Sequence, residues 1–272
     1  MVKYPIDYSD RKPLGSTGEY VVAIGVGTWA IRDYSRAKEA LIRAIELGLN
    51  MIDTAEMYGS GRAEELIGEV IKAVGRDNVF VTTKLYPHRF TDRYTAIKAA
   101  RASLRRLGID CVDLILIHWP NPNVPISKQV RALEAIADEG LSRYVGVSNF
   151  SSDELIEAIE STSKYDIVVN QVKYSVLDKR IEDDLLPTCI RYRVTIQAYT
   201  PIERGRVCDI NLIKEIGRRY GKTPVQVALN YLISRPYVTA IPKSERTERI
   251  EEFRGALGWR LEPKDIELLE KL

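Results

Sequence analysis

Apolar, strand-like segments alternate with amphipathic, helix-like segments along the whole 272-residue chain. The strand-like segments lie near residues 23–28, 49–53, 79–84, 112–118, 143–148, 167–171, 194–199 and 238–242. Such alternation indicates parallel strands joined by crossover helices. Eight units of this kind fit a closed barrel, a fold of about 250 residues, better than a doubly wound sheet. We therefore predict the α/β class and a (β/α)8 TIM barrel.

A shorter segment precedes the first of these strands. It reads LGSTGEYVVA, with turn residues between short apolar runs, and predicts a small N-terminal β-hairpin. Helix starts are marked at Ser151, which is followed by glutamate three residues later, and at Thr223, which precedes a proline. No linker or change of composition divides the chain, so we predict a single domain over residues 1–272.

The stretch AIGVGTWA, residues 23–30, contains Gly25-x-Gly27-x-x-Ala30, which has the spacing of a dinucleotide-binding fingerprint. In that fingerprint a helix begins inside the glycine turn, so that its N-terminus meets the pyrophosphate. Here the first helix signal is Ser35, beyond the last motif position. We therefore interpret the glycines as allowing the first strand to pack closely against its neighbours.

Charge and composition narrow the classes of partner. Lys and Arg number 40 against 38 Asp and Glu, which gives no general argument for nucleic acid. No apolar run approaches the roughly 20 residues of a membrane span, and the first residues lack a signal-peptide core. Three cysteines without Cys-x-x-Cys spacing indicate neither disulfides nor a metal site. We expect a cytoplasmic monomer that acts on a small molecule.

Barrel enzymes place their chemistry where strands end and the following loops begin. The polar residues at those places in this chain are Asp53, Lys84, His118, Ser148, Asn149, Gln171, Tyr199 and Lys243. Lysine and histidine at the ends of apolar strands are unusual, because burying a charge is costly without a partner. The predicted strand ends therefore indicate an active site on one face of the barrel.

Asp53, Lys84 and His118, together with Tyr58 in the second loop, can form a device that delivers a proton. A phenol with a pKa near 10 is a poor acid at neutral pH. A lysine cation about 4 Å away contributes roughly 4 kcal/mol at an effective dielectric constant near 20. We therefore expect Lys84 to lower the pKa of Tyr58 by up to about 3 units. Asp53 would hold Lys84, and His118 would orient a carbonyl.

In their contexts, DTAEMYG, TTKLYP and LILIHWP, these residues resemble the catalytic tetrad of the aldo-keto reductases. GVGTW, GVSNF, NQVKYS, QAYTP and IPKS also occur in that family's order. The resemblance covers nearly the whole chain. It implies a (β/α)8 barrel that binds NADP(H) across its C-terminal face and reversibly reduces an aldehyde or ketone, with Tyr58 as general acid and base.

The resemblance also assigns binding residues. It implies that the nicotinamide carboxamide is held by Ser148, Asn149 and Gln171, and that Tyr199 stacks on the ring. The 2′-phosphate would be held by Lys243, Ser244 and Arg249, whose types suit a dianion. Further cofactor contacts are implied for Thr200, Ile202 and Glu252. The substrate pocket would be lined by Trp29, Tyr58, His118 and Trp119, and no metal is implied.

The chain departs from the family pattern at two places. Phe253 stands where the family usually has an asparagine beside the adenine. The loop after Tyr199 reads TPIERGR, so that Glu203 would lie near an anion unless Arg204 and Arg206 compensate.

Two other functions remain open at this point. One is a cofactor-sensing regulatory subunit on the same fold. The other is a barrel lyase with Lys84 as Schiff-base nucleophile, which would leave Tyr58 and IPKS without a role. A Tyr-x-x-x-Lys pair, Tyr94 and Lys98, also matches short-chain dehydrogenases, but we interpret it as helix surface.

Overall fold

The computed structural model describes residues 2–272 and begins with an antiparallel hairpin, β1 (Arg11–Pro13) and β2 (Tyr20–Val22). Eight further strands pair in parallel, each with the next along the chain. They are β3 (Val26–Gly27), β4 (Met51–Asp53), β5 (Phe80–Leu85), β6 (Val112–Ile117), β7 (Ser142–Ser148), β8 (Ile167–Lys173), β9 (Thr195–Tyr199) and β10 (Val238–Ala240). The predicted barrel and its hairpin are confirmed.

Helices lie between the barrel strands and cover the outside of the sheet. They are α1 (Tyr34–Glu46), α2 (Arg62–Val74), α3 (Arg93–Leu107), α4 (Ile126–Asp138), α5 (Ser152–Glu160), α6 (Leu185–Tyr192), α7 (Asn211–Tyr220), α8 (Pro224–Ile233), α9 (Thr247–Arg254) and α10 (Pro263–Glu270). Short 3-10 turns cover Tyr58–Gly61, Arg76–Asn78, Pro87–Thr91, Arg180–Glu182 and Glu203–Asp209. Within residues 2–272, no helix combines the length and apolarity needed to cross a bilayer.

Helix starts follow local side-chain chemistry. Ser151 and Thr223 both form capping boxes at the predicted starts of α5 and α8, so two orphan N–H groups are satisfied reciprocally at each helix. The prediction for α1 was wrong by two residues. Asp33, not Ser35, caps α1 by accepting a hydrogen bond from the backbone N–H of Arg36.

The first and last barrel strands meet at a crowded seam. Ile24 forms a parallel bridge with Ala240, and the N–H of Gly25 donates to the Ala240 carbonyl at 2.9 Å. A Cβ atom on Gly25 would lie 2.4 Å from the Met51 carbonyl oxygen, closer than real contacts allow. The glycines of AIGVGTWA therefore serve close packing, as the sequence predicted, and α1 begins well beyond them.

The hairpin packs against the N-terminal end of the barrel. Lys12 of β1 is buried, and its Nζ contacts the Ile233 carbonyl and Asp7 Oδ2, both at 2.6 Å. Burial lowers the pKa of Lys12 to about 8. The Thr195 hydroxyl, at the first residue of β9, donates to the Pro13 carbonyl at 2.6 Å. The hairpin thus covers one mouth of the barrel and leaves the opposite, C-terminal face for chemistry.

A buried cluster around Arg235 joins segments that are far apart in sequence. Arg235 Nη2 donates to Glu270 Oε1 of α10 at 2.8 Å, and Arg235 Nε lies 3.7 Å from Glu182 Oε1. The hydroxyls of Tyr174 and Tyr231 also donate to Glu182, at 2.5 and 2.9 Å. This cluster fixes the last helix to the barrel.

Candidate active site

The C-terminal ends of three adjacent strands bring the predicted tetrad together. Asp53 is the last residue of β4, Lys84 lies one residue before the end of β5, and His118 directly follows β6. Tyr58 begins the 3-10 turn after β4. The ring centroids of Tyr58 and His118 lie 5.8 Å apart, and Lys84 Nζ lies 5.0 Å from the Tyr58 centroid. The four side chains therefore form one cluster.

Lys84 and Asp53 form a fully buried ion pair. Lys84 Nζ donates to both Asp53 carboxylate oxygens, at 2.6 and 2.7 Å, and to the Thr54 carbonyl at 3.0 Å. An ammonium group has three donors, so all of them are engaged. Burial lowers the pKa of Lys84, while Asp53 opposes that shift. This geometry holds Lys84 in place against Asp53.

The expectation that Lys84 lowers the pKa of Tyr58 is wrong for this structure. The pKa of Tyr58 is raised, first by burial and then by the Asp53 carboxylate. The reason is that burial disfavours the charged phenolate and the nearby Asp53 carboxylate repels it. Tyr58 therefore holds its proton firmly.

His118 is a neutral imidazole. Burial, with the Lys84 charge as a second cause, lowers the pKa of His118 from 6.5 to about 3. Its Nδ1 is buried and has no hydrogen-bond partner among residues 2–272. A neutral imidazole carries one N–H. It can donate a hydrogen bond to a carbonyl oxygen, but it does not place a positive charge beside that oxygen.

All four of the predicted nicotinamide residues form a linked group beside this cluster. The Ser148 hydroxyl, at the end of β7, donates to the Gln171 carbonyl at 2.7 Å. Asn149 follows with a φ of 61° and donates to the His118 carbonyl at 3.0 Å. The Tyr199 hydroxyl, at the end of β9, donates to Asn149 Oδ1 at 2.9 Å. The predicted carboxamide ligands thus lie next to the tetrad.

Gln171 turns toward the barrel interior. Its Nε2 donates to Asp53 Oδ1 at 2.7 Å and to Gln197 Oε1 at 2.5 Å. Gln197 was not among the site residues predicted from the sequence, although its position in the strand could have indicated it. It is a polar residue inside an apolar strand, two residues before Tyr199, and alternate residues of a strand face the same side.

The predicted 2′-phosphate residues lie in the segment after β10, and both cations have acidic partners. Lys243 Nζ pairs with Glu245 and also donates to the Ala30 carbonyl at 3.1 Å. Arg249 Nη1 donates to Glu252 Oε2 at 2.5 Å. The Ser244 hydroxyl accepts from the backbone N–H of Arg246 at 3.0 Å.

Glu245 is a second residue that the sequence reading missed. Besides Lys243, its carboxylate accepts hydrogen bonds from the backbone N–H groups of Arg32, at 3.1 Å, and Asp33, at 3.0 Å. Glu245 therefore joins the segment after β10 to the loop after β3. Its place two residues after a lysine gave no indication of that contact.

The TPIERGR loop contains three residues other than glycine with positive φ angles. Thr200, Glu203 and Arg204 have φ values of 54°, 47° and 55°, which side chains other than glycine adopt at a cost. Glu203 points inward, accepts from the Ser175 hydroxyl at 2.9 Å and lies 3.2 Å from Lys173 Nζ. Lys173 thus neutralises the carboxylate predicted to disturb an anion. Ile202 is half-buried beside it.

Aromatic rings line the rim next to His118. Trp119 lies 4.8 Å from His118 and 6.2 Å from Tyr86, between ring centroids, and is 37% exposed. Trp29, after β3, is 52% exposed, and the Arg204 guanidinium lies 5.3 Å from the centre of its ring. Both tryptophans predicted for the substrate pocket are therefore open to the C-terminal face.

Residues predicted to be incidental lie outside the cluster. Tyr94 is 72% exposed on α3, as expected for helix surface. Phe253, at the position where the family has asparagine, is buried in α9 and offers no polar group to an adenine. The three cysteines are free. Among the described residues 2–272, no group of three or more His, Cys, Asp or Glu side chains could hold a metal ion.

Known proteins match this chain over most of its length. Residues 23–272 match the profile of the Aldo/keto reductase family. The methylglyoxal reductase YeaE of Escherichia coli is 35% identical over 92% of this chain and 90% of its own. The chain therefore belongs to the aldo-keto reductase family, a class of oxidoreductases.

Solved structures agree with this assignment. The thermostable aldo-keto reductase Tm1743, in complex with the inhibitor epalrestat, is 40% identical, covers 96% of this chain and 98% of its own, and superposes with a TM-score of 0.89. The aldo/keto reductase of Klebsiella pneumoniae, in complex with NADP and acetate, is 32% identical, covers 97% and 95%, and has a TM-score of 0.90.

Proposed function

We propose that this protein is an NADP-dependent aldehyde or ketone reductase. The convergence of Asp53, Tyr58, Lys84 and His118 on the C-terminal face is the observation that carries the proposal. A protonated phenol, a neutral imidazole and a fixed ion pair are together what reduction of a carbonyl group needs from a protein.

Each residue of the cluster takes one role. When bound, NADPH supplies the hydride that reduces the carbonyl carbon. The neutral imidazole of His118 donates a hydrogen bond to the carbonyl oxygen and orients it. Tyr58 then transfers its proton to the oxygen, which becomes more basic than a phenolate as it turns into an alkoxide. The raised pKa of Tyr58 is compatible with this role, because the proton acceptor is the stronger base.

Lys84 and Asp53 act on Tyr58 electrostatically, without contacting the substrate. Once Tyr58 has released its proton, the Lys84 ammonium stabilises the phenolate through its field, and Asp53 keeps that ammonium in place. The reverse reaction, alcohol oxidation, requires the phenolate form of Tyr58 beforehand. Because burial opposes that form, the free enzyme holds Tyr58 in the protonated form that reduction uses.

The residues present fit NADP(H). Amide, hydroxyl and phenol groups of Ser148, Asn149, Gln171 and Tyr199 cluster beside the tetrad, which suits a nicotinamide with its carboxamide. At the other end, Lys243 and Arg249 would supply the cations for a 2′-phosphate. Ser244 follows Lys243, Glu252 lies on α9 with Arg249, and Thr200 and Ile202 lie in the loop after β9. A phosphate would have to compete there with Glu245 and Glu252 for the two cations.

The substrate pocket would be formed by Trp29 and Trp119 together with Tyr58 and His118. Both indoles are partly exposed at the rim, and a relative is named as a methylglyoxal reductase. Small aldehydes and 2-oxoaldehydes are therefore the first substrates to test.

The decisive experiment is a screen of NADPH oxidation over 2-oxoaldehydes, other aldehydes, ketones, quinones and sugars, repeated with NADH. We expect turnover with at least one aldehyde class and a preference for NADPH. Absence of turnover with every substrate, while NADPH still binds, would contradict the reductase proposal. Stable capture of a protein partner in that case would favour the regulatory subunit.

The lyase alternative conflicts with the state of Lys84. A Schiff base needs a neutral amine with a free lone pair, whereas all three donors of Lys84 are engaged by Asp53 and Thr54. Borohydride trapping of a carbonyl compound on Lys84 would support the lyase alternative.

We further propose that residues 1–272 act as one domain and as a cytoplasmic monomer. One continuous apolar core, from Leu14 to Leu269, supports the first point, and three free cysteines are compatible with a reducing compartment. Light scattering of the purified protein tests the oligomeric state.

A further inference from the structure

The segment that follows β10 carries more acidic than basic side chains. Residues 243–252 contain four glutamates and three cations, although the proposed function places a dianionic 2′-phosphate here. Each cation has a carboxylate partner, and the pairs are Lys243 with Glu245, Arg246 with Glu248, and Arg249 with Glu252. A phosphate that enters this segment therefore meets cations whose charges are already neutralised.

Backbone N–H groups anchor Glu245 independently of its cation. Its carboxylate accepts from the N–H of Arg32 at 3.1 Å and from that of Asp33 at 3.0 Å, and only 15% of its side chain is exposed. Burial acts to raise the pKa of the Glu245 carboxyl, but Lys243 and these two N–H groups hold that pKa below its ordinary value. The carboxylate is therefore charged at neutral pH and stays beside Lys243 when an anion arrives.

Lys243 can still contact a ligand, but only next to this carboxylate. Its ammonium group has three N–H donors, and it donates to Glu245 and, at 3.1 Å, to the Ala30 carbonyl. Within residues 2–272, these contacts leave one donor for a ligand. A dianion bound to that donor is a neighbour of the fixed Glu245 carboxylate, and adjacent like charges repel. The repulsion weakens binding of a 2′-phosphate without abolishing it.

We propose that Glu245 is a specificity-determining residue that lowers the preference for a cofactor with a 2′-phosphate, so that the protein takes NAD(H) as well as NADP(H). This inference rests on the proposed function. A cofactor without the 2′-phosphate leaves Lys243 paired with Glu245 and loses nothing there. A cofactor with that phosphate has to share Lys243 with the carboxylate.

Two nucleotides separate this effect from the rest of the cofactor. Adenosine 2′,5′-bisphosphate and 5′-AMP differ only in the 2′-phosphate, so the ratio of their Kd values measures the affinity for that group. Calorimetric titration of the whole protein gives both values, together with those of NADP⁺ and NAD⁺, and it requires no turnover.

The test variant is Glu245→Gln, which keeps the size of the side chain and removes its charge. The matched control is Glu251→Gln. Glu251 is exposed on α9 and pairs with Arg43 of α1, so this variant makes the same change of net charge without touching the pair of Lys243 and Glu245. Glu245→Ala replaces the test variant if Glu245→Gln does not fold.

In Glu245→Gln we expect adenosine 2′,5′-bisphosphate to gain about tenfold in affinity relative to 5′-AMP, because Lys243 no longer has an anionic competitor. NADP⁺ should gain over NAD⁺ by a similar factor, whereas Glu251→Gln should keep both ratios within about twofold of the unmodified protein. In the unmodified protein, NADP⁺ should bind less than about a hundredfold more tightly than NAD⁺. A gain in affinity is informative, because damage to the fold would not produce it.

Unchanged ratios in Glu245→Gln, or an equal gain in Glu251→Gln, would overturn the proposal. So would an unmodified protein that binds NADP⁺ without measurable binding of NAD⁺, or one that binds none of the four nucleotides. Failure of the proposed function alone looks different. In that case the unmodified protein binds NADP⁺ and reduces no carbonyl compound, and the Kd ratios still decide the role of Glu245.

Discussion

Tyr58 carries a proton that its surroundings make hard to remove. Burial and the Asp53 carboxylate act in the same direction on its pKa, and Lys84 is partly neutralised by that same carboxylate. The phenol is therefore a proton store that releases its proton only to a strong base. An alkoxide that forms beside it is such a base.

Replacing Tyr58 with Phe should lower reductase turnover by about a hundredfold or more, because the transferable proton is lost. The Kd for NADPH should stay unchanged, since the ring remains. Steady-state kinetics and calorimetry measure the two effects separately. Tyr86→Phe, which removes a hydroxyl from a half-buried ring at the same rim, is the control and should retain turnover. Unchanged turnover in Tyr58→Phe would exclude it as the proton donor.

His118 should make the fold sensitive to acid. Its pKa is about 3 in the folded protein against 6.5 ordinarily, so between these values the unfolded chain binds a proton that the folded chain does not. The free energy of unfolding therefore falls as the pH drops below about 6.5. In His118→Gln, Tm should decline less steeply over that range than in the unmodified protein.

The control is the other histidine, His88, which is exposed. His88→Gln should keep the slope of Tm against pH that the unmodified protein shows. Parallel slopes in all three proteins would mean that His118 is protonated as easily in the folded chain as in the unfolded one.

Lys243 and Arg249 should determine the choice between NADPH and NADH. Replacing both with Met is expected to weaken NADPH binding by about a hundredfold more than NADH binding, because only NADPH has the 2′-phosphate. Calorimetric Kd values check the ratio. Arg254→Met, which removes a cation at the other end of α9, should leave it unchanged. Equal weakening of both cofactors would remove the 2′-phosphate assignment.

At the scale of elements, local patterns predicted the strands and the starts of α5 and α8, because each depends on neighbours in sequence. The start of α1 was ambiguous, since Asp33 and Ser35 are both residues that cap helices. Strand ends predicted which polar residues share the C-terminal face. They could not predict the contact between Gln171 and Gln197, 26 residues apart, or the direction of the Tyr58 pKa shift, which is set first by the burial of the phenol and then by the Asp53 carboxylate.

The seam between β3 and its neighbours should tolerate added volume poorly. Gly25→Ala places a Cβ against the Met51 carbonyl oxygen, at 2.4 Å before relaxation, and should cost about 2 to 3 kcal/mol of the free energy of unfolding. Gly27→Ala is the comparison variant and should lose less stability, because its Cβ would lie 3.2 Å from the nearest atom. Urea unfolding measures both. A smaller loss in Gly25→Ala than in Gly27→Ala would contradict this account of the seam.

At the scale of the whole molecule, the cluster around Arg235 connects α8, α10 and the turn at Glu182. Arg235→Leu leaves two buried or half-buried carboxylates without their cation and should lower the free energy of unfolding by about 3 to 5 kcal/mol. Urea unfolding of the intact chain measures the loss.

The control for that variant is Arg191→Leu, which removes an exposed guanidinium above the Tyr192 ring and should change stability by less than about 0.5 kcal/mol. Similar losses in Arg235→Leu and Arg191→Leu would show that the buried cluster contributes little to holding the last helix on the barrel.

The placement of the tryptophans gives this molecule an optical property. Of its three indoles, Trp29 and Trp119 lie partly exposed on the rim, while Trp259 lies 5.3 Å from Tyr220, between ring centroids. Emission from the first two depends on the solvent and charges at the C-terminal face, including the Arg204 guanidinium above Trp29. Anything that covers the rim therefore changes the colour or intensity of the protein's own fluorescence, without an added dye.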